Sequence, residues 1–235
     1  MDSTYPEILV YNGQKYPFNP ARVRYSAPSK TAHGSYVIRT TYALPSGTEV
    51  PVVLQTPVIT SQFGFGVTER DGQVKGGIDL TFLDTSPPDV MALKRVMAEW
   101  DALILKTAKE NRLSWFQSKK ATDDIIDYLH CPLVRENVRK SDGMRFADAL
   151  RPKVRHTAVQ CYDAEGNSIE ATAFGPRSLV RAMLKQTGIW LSDSMFVASM
   201  EATHLQLMES PTVVGFPFVD SGDDRSKHGS DCESE

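Results

Sequence analysis

The chain has 235 residues, of which 41% are hydrophobic and 23% charged, and its formal net charge is −3. This composition is typical of a globular protein that is long enough to bury a core without metals or disulfides. It contains no run of 18 apolar residues, so no membrane-spanning helix is expected. The start lacks the pattern of a signal peptide, and the cysteines Cys131, Cys161 and Cys232 form no CxxC pair. We therefore expect an intracellular protein with reduced thiols.

Short runs rich in valine, isoleucine, threonine and tyrosine occupy the first third of the chain, with turn residues between them. They predict strands over Glu7–Tyr11, Arg22–Tyr25, Tyr36–Tyr42 and Val50–Gln55. Next, Asp71-Gly72 predicts a hairpin turn that leads into a strand over Gly77–Leu83.

Two helices are predicted in the middle of the chain. Ser86 is the predicted N-cap of the first, and apolar residues recur at three- and four-residue spacing over Asp89–Asn111. The second is predicted over Thr122–Leu129. Asp123 and Asp124 at its start favour the positive end of the helix dipole, which explains this acidic pair better than a metal site does.

The second half of the chain is predicted to return to strands. Residues 135–156 read as an exposed loop that enters a strand over Val154–Tyr162, followed by a turn and a hairpin partner over Ser168–Phe174. The spacing of apolar residues predicts a third helix over Pro176–Gln186, which Gly188 ends. Alternation over Ile189–Met208 predicts one or two further strands.

Many short strands with one long inserted helix favour a mainly β, α+β fold over βαβ winding, because strands mostly follow strands. The sequence has no P-loop, no HExxH and no GxSxG motif, and Phe63-Gly64-Phe65-Gly66 is not a dinucleotide fingerprint. The histidines are isolated from one another. We therefore expect a binding protein and not an enzyme, with no cofactor and no metal.

Residues 135–156 carry seven basic and three acidic side chains. Within them Arg151, Lys153 and Arg155 alternate, so in a strand they would project from one face. Three cations on one face suit the tracking of a phosphate backbone. Arg135 and Arg139 extend the same basic stretch.

Trp115 and Phe116 precede Lys119 and Lys120 on the connection between two helices. Aromatic rings beside lysines are the components of a stacking platform for unpaired bases. The alternative is that both aromatic residues belong to the core and the lysines to a solvated loop.

The last sixteen residues, 220–235, hold six acidic and two basic residues, a net charge of −4, so residues 1–219 carry +1. Such a segment is predicted to be disordered and to compete with a polyanion for the basic surface of the body. The alternative is a solubilising tail with no partner. The predicted regulatory residues of this tail are Asp223, Asp224, Asp231, Glu233 and Glu235.

Four segments in order, Val53–Pro57, Phe63–Val67, Ile78–Phe82 and Trp115-Phe116, resemble single-stranded DNA-binding proteins of nucleocytoplasmic large DNA viruses. These are related to the acidic-tailed single-stranded DNA-binding proteins of tailed phages. The resemblance covers about residues 25–205. It implies an OB-like β-barrel with helical insertions, sequence-independent binding of single-stranded DNA, and a tail that competes with DNA and contacts replication proteins. The phage tails end in an aromatic residue, whereas this chain ends in Glu235.

We therefore predict an OB-like nucleic-acid-binding domain over residues 1–219 and a disordered acidic tail over 220–235, acting in DNA replication, recombination or repair. The predicted nucleic-acid-binding residues are Trp115, Phe116, Lys119, Lys120, Arg135, Arg139, Arg151, Lys153 and Arg155. The alternative is a structural or interaction protein, such as a minor virion component, whose basic stretch binds an acidic protein. For a viral protein, the expected location is the host nucleus or a cytoplasmic replication site. The sequence leaves open whether the chain forms a homodimer.

Overall fold

The computed structural model describes residues 7–9, 15–32, 34–70, 73–117, 121–139 and 141–209. The predicted Asp71-Gly72 turn, the Lys119-Lys120 pair and the whole acidic tail lie outside these residues. No helix in the described ranges is both long enough and apolar enough to span a membrane.

The described chain is mostly strand, with one long helix between two groups of strands. The first group is β1 (Glu7–Leu9), β2 (Lys15–Pro17), β3 (Val23–Tyr25), β4 (Ser29–Lys30), β5 (Tyr36–Ile38), β6 (Thr40–Ala43), β7 (Glu49–Pro51), β8 (Val53–Gln55), β9 (Ile59–Ser61), β10 (Phe65–Arg70), β11 (Gln73–Ile78) and β12 (Leu80–Phe82). The helices are α1 (Pro88–Glu110), α2 (Arg112–Trp115) and α3 (Asp123–Leu129). The second group is β13 (His130–Cys131), β14 (Val134–Val138), β15 (Arg145–Leu150), β16 (Lys153–Val154), β17 (Gln160–Tyr162), β18 (Ser178–Ser192) and β19 (Met195–Glu209).

The larger sheet closes into a ring of five strand runs, which we number as barrel strands: β9–β10 first, β11–β12 second, β15–β16 third, β18 fourth and β19 fifth. The first and second are antiparallel, with Gly66 opposite Gly77, and so are the second and third, with Gly77 opposite Lys153. The third and fifth are parallel, with Lys153 opposite Glu201. The fifth then pairs antiparallel with the fourth, and the fourth with the first. This order, with its one parallel pair, is OB-like, and the predicted mainly β, α+β class is confirmed.

Helix α1 enters between the second and third barrel strands and buries one face against the core. The buried side chains include Val90, Leu93, Val96, Met97, Trp100 and Ile104, the spacing predicted from the sequence. An ion pair of 2.7 Å between Lys94 and Asp148 joins the helix to β15. The predicted cap was wrong, because the extended Pro87 occupies the N-cap position and Ser86 closes a turn with the Leu83 carbonyl. The second helix, capped by Thr122, is confirmed.

The predicted helix over Pro176–Gln186 was wrong, since these residues belong mainly to β18. Val180, Ala182 and Leu184 point into the core, while Leu179 and Met183 lie at alternate, half-buried positions. Because both faces of this strand carry apolar residues, their spacing imitates the periodicity of a helix.

Three further predictions in the second half need correction. The strand predicted over Val154–Tyr162 is interrupted by a turn at 156–158, which separates β16 from β17. Residues 135–156 are not a loop, because β14 and β15 form a hairpin that extends the sheet. Ser168–Phe174 is not a full hairpin partner, since only Ser168 bridges to Tyr162. The chain then leaves the sheet through a 3₁₀ turn at Ala171–Ala173 and buries Phe174 in the core.

The buried carboxylate of Asp79 holds the corner where the first barrel strand meets the second. It accepts hydrogen bonds from the backbone amides of Gln62 and Phe63, both at 3.1 Å, and from the hydroxyls of Ser61 and Thr81 at 3.3 and 2.6 Å. In the same corner Gly64 has a φ of +71°, and a Cβ there would collide with the Phe174 carbonyl. Two of the segments that carry the resemblance, Phe63–Val67 and Ile78–Phe82, therefore meet at this corner.

Substituting Asp79→Ala should destabilise the fold by about 3 kcal/mol, because it leaves buried donors without an acceptor. Urea unfolding followed by circular dichroism would measure the change. Asp84→Ala is the control, since Asp84 lies exposed in the turn after β12 and should cost less than about 0.5 kcal/mol. Equal stabilities for the two variants would contradict a structural role for the Asp79 network.

Candidate nucleic-acid interface

The third barrel strand presents its basic residues to solvent. Arg151, Lys153 and Arg155 are exposed and alternate with the buried Pro152 and Val154. Since the interior of a small barrel is filled with side chains, the alternating positions are on its outside. The alternation of these three cations seen in the sequence therefore persists, although only Lys153-Val154 is a regular strand.

Strand pairing brings other outward residues beside this run. Gly66 and Gly77 lie in register with Lys153 on one side, and Glu201 and Lys185 on the other. Trp190 lies further along β18, opposite Val197. We call the outward positions Gly66, Gly77, Arg151, Lys153, Lys185 and Trp190 the basic face.

The two glycines leave the barrel surface open next to Lys153. A Cβ built on Gly66 or on Gly77 would meet no atom within 4 Å. Because no side chain covers the backbone at these positions, a ligand can approach the strands closely there.

Trp190 is the aromatic residue of this face. It is half-buried, and the ammonium group of Lys153 lies 5.7 Å from the centre of its ring. Its indole nitrogen is buried without a hydrogen-bond partner among the described residues. The sequence reasoning missed Trp190, although its position between the buried Ile189 and Leu191 indicates that it points outward.

Arg155 is already engaged by a carboxylate. Its Nε and Nη2 donate to the two oxygens of Glu201 at 2.6 and 2.8 Å, and this bidentate pairing raises the pKa of Arg155. Glu201 is 8% exposed and lies in the same row as Lys153 and Lys185. The sequence predicted three cations projecting from one face to contact phosphates, whereas in the structure Arg155 neutralises Glu201, the acidic side chain of this row.

A cavity of about 230 Å³ adjoins the basic face. Arg135, Arg151 and Lys153 line it together with Ser199, so the structure brings three of the predicted residues together. No acidic residue is among the described residues that line it. Ser199 is 4% exposed, and its hydroxyl has no hydrogen-bond partner within the described chain.

The outward surface continues along β18 and β19 beyond Lys185. There Tyr162 stacks on His204, with ring centres 6.3 Å apart and planes within 8°. Arg181 and Met183 line a second cavity, of about 370 Å³, beside this pair. These residues also escaped the sequence reasoning, because Tyr162 meets β19 only through pairing with a distant part of the chain, and Arg181 and Met183 fell within the predicted helix.

The structure keeps other predicted residues away from this face. Arg139 pairs with Asp142 at 3.1 Å in the β14–β15 hairpin and lies 5.2 Å from the centre of the Phe146 ring. Trp115 is only 4% exposed and packs edge-on against Tyr25, so its indole offers no free face for stacking. The core alternative therefore holds for Trp115.

Phe116 is half-buried and packs edge-on against Phe196, with ring centres 5.7 Å apart. Lys119 and Lys120 lie outside the described residues. No group of three or more histidine, cysteine, aspartate or glutamate side chains suited to a metal ion was found in the described ranges.

No family model matches the chain, and no curated protein matches it significantly. Among solved structures it is similar to gp2.5, a single-stranded DNA-binding protein encoded by bacteriophage T7, with 13% identity, a TM-score of 0.45, and coverage of 79% of this chain and 100% of that one. It is also similar to the single-stranded DNA-binding protein of bacteriophage Enc34. In its complex with single-stranded DNA that protein has 12% identity and a TM-score of 0.45, covering 80% of this chain and 98% of that one. At this level of similarity the neighbours carry no argument about function, which must rest on the residues of this chain.

Proposed function

We propose that this chain binds single-stranded DNA without sequence preference, across the basic face of its barrel. The observation that carries the proposal is the row of cations beside Trp190 on the outside of an OB-like barrel. OB barrels bind oligonucleotides on the face of their second and third strands. Here that face includes Gly77, Arg151 and Lys153.

The mechanism combines two interactions at neighbouring points. Arg151, Lys153 and Lys185 neutralise backbone phosphates, and an unpaired base stacks on the exposed part of Trp190. Base–aromatic stacking contributes about 1–3 kcal/mol per base and tolerates any sequence, since every base has a π-face. In a duplex the base faces are stacked on one another, so the ring favours a single strand.

The small net charge of residues 1–219, +1, does not prevent this binding. Affinity for a phosphate backbone depends on the cations at the contact surface, because each contact releases condensed counterions. In this row the only carboxylate among the described residues, Glu201, is paired with Arg155.

The proposal extends to a role in DNA replication, recombination or repair and to membership of the viral family named above. Both rest on the resemblance of the four segments Val53–Pro57, Phe63–Val67, Ile78–Phe82 and Trp115-Phe116. The acidic tail would occupy the basic face when DNA is absent and would contact replication proteins. Its charge of −4, opposite in sign to the face, supports this part of the proposal.

Anisotropy of labelled oligo-dT should report tight, salt-sensitive binding, with weak binding to duplex DNA of equal length. Lys153→Ala should weaken the binding and reduce the slope of log affinity against log salt by about 0.7, the value for one phosphate contact on a single strand. Lys106→Ala is the matched control, because Lys106 lies on the exposed side of α1 and pairs with Glu110 at 3.9 Å. Absence of binding to either DNA would overturn the proposal and favour an acidic protein partner.

Intrinsic tryptophan fluorescence should be quenched when the oligonucleotide binds, because stacking places a base against Trp190. Of the three tryptophans, Trp100 is fully buried and Trp115 nearly so, which leaves Trp190 as the reporter. Trp190→Phe should abolish the quenching while it keeps part of the affinity. Unchanged quenching in this variant would exclude Trp190 as the stacking residue.

Deletion of residues 220–235 should tighten binding to oligo-dT, and the gain should be largest at low salt, where charge competition is least screened. The comparison uses full-length and truncated chains at two salt concentrations. A variant with Asp223, Asp224, Asp231, Glu233 and Glu235 changed to their amides separates charge from chain length. Equal or weaker affinity after truncation would reject the tail mechanism.

A further inference from the structure

The cavity lined by Arg135, Arg151, Lys153 and Ser199 occupies an interruption in the sheet. On the edge of β19 that faces away from β18, pairing with β13 ends at Val197, and pairing with β16 involves Glu201. The three residues between them, 198–200, all line the cavity. The gap lies beside the basic face and shares Arg151 and Lys153 with it.

The charge of this cavity is of one sign. Three cationic side chains line it, and none of its described lining residues is acidic. Glu201, two residues after Ser199 on the same face of β19, is the nearby acid on this strand, and the bidentate pair with Arg155 neutralises it. The arrangement therefore favours an anion.

The packing around Ser199 does not explain why its hydroxyl is buried without a hydrogen-bond partner among the described residues. A buried hydroxyl without a partner is unfavourable, and native structures rarely keep one unless another group completes its hydrogen bonding. Lysine and arginine can only donate, and a serine hydroxyl can donate as well. The group that would satisfy all four side chains is an acceptor with several oxygens.

We propose that this cavity binds one backbone phosphate of the single strand, with Ser199 donating a hydrogen bond to a phosphate oxygen and Arg135, Arg151 and Lys153 neutralising its charge. The inference rests on the proposed function and adds to it a fixed anchoring point. A phosphate held there lies beside Trp190, because Lys153 belongs to the cavity and also contacts that ring.

Ser199→Ala should move affinity and stability in opposite directions. It removes the donor, so affinity for oligo-dT should fall about tenfold, as for a hydrogen bond to a charged group. It also removes an unpaired buried hydroxyl, so the Tm of the free protein should stay unchanged or rise. A purely structural serine would lose stability and keep its affinity.

Ser178→Ala is the matched control for this pair of readouts. Ser178 is fully buried at the far end of β18, and its hydroxyl donates to the Gly175 carbonyl at 2.8 Å. We expect this variant to have a lower Tm and the affinity of the unmodified chain.

Inorganic phosphate provides a test that does not depend on DNA. At constant ionic strength it should raise the Tm of the unmodified chain more than that of Ser199→Ala, whereas general salting-out stabilisation would raise the Tm of both by the same amount. Oligonucleotides with and without a 5′-phosphate separate the two phosphate sources. A Ser199→Ala effect of equal size on both supports a backbone phosphate, whereas an effect confined to the 5′-phosphorylated strand would overturn that assignment.

The two proposals fail in different ways. If oligo-dT binds but Ser199→Ala has the affinity and the phosphate response of the unmodified chain, the anchoring cavity is wrong and the proposed function stands. If no oligonucleotide binds, the proposed function fails, and the backbone assignment fails with it.

Discussion

The buried carboxylate of Asp79 is the contact on which the barrel depends. It lies between β11 and β12, where the second barrel strand passes from its pairing with β10 and β16 to its pairing with β9 and β15. By accepting the amides of Gln62 and Phe63 it fastens the first barrel strand to this turning point. Gly77, which lies beside Lys153 on the outward face, is only two residues before Asp79, so the internal corner and the outward face belong to the same short stretch of the second barrel strand.

The positive charge of the outward face depends on the neutralisation of a nearby carboxylate as much as on the number of its basic side chains. The body of the chain is almost neutral, and a count of basic residues alone does not identify a binding surface. What distinguishes this face is that its carboxylate is paired at short distance, while Lys153 and Lys185 have no ion pair with any carboxylate in the described part of the chain. Arg155 thus contributes to the surface potential by removing a negative charge.

The sequence could predict those elements whose formation depends on residues close together in the chain. The face of α1, the Thr122 cap and most of the early strands depend on residues a few positions apart, so periodicity and capping were sufficient. The identity of β18 was not predictable in this way, because Leu179 and Met183 are half-buried by neighbouring strands that come from far away in the chain.

The same limit applies to the candidate site. Arg151 and Lys153 were found from their alternation, but the pairing of Arg155 with Glu201 spans 46 residues. Trp115, chosen because lysines follow it, belongs to the core, whereas Trp190 was missed although the apolar Ile189 and Leu191 on either side of it indicate an outward position.

The third and fifth barrel strands pair in parallel through one register position, Lys153 with Glu201, and Arg155 adds an ion pair to the same glutamate. On that edge of β19 the short strands β13 and β17 pair on either side, and residues 198–200 stay unpaired. Among the described barrel strands, these two share few paired residues, and local opening is expected where few contacts must be broken. A strand of nucleic acid lying over Lys153 and Lys185 would pass from the third barrel strand across the fifth and hold the two together. Binding of that strand and closure of the barrel would then be thermodynamically linked, so the ligand would stabilise the contact between the third and fifth barrel strands.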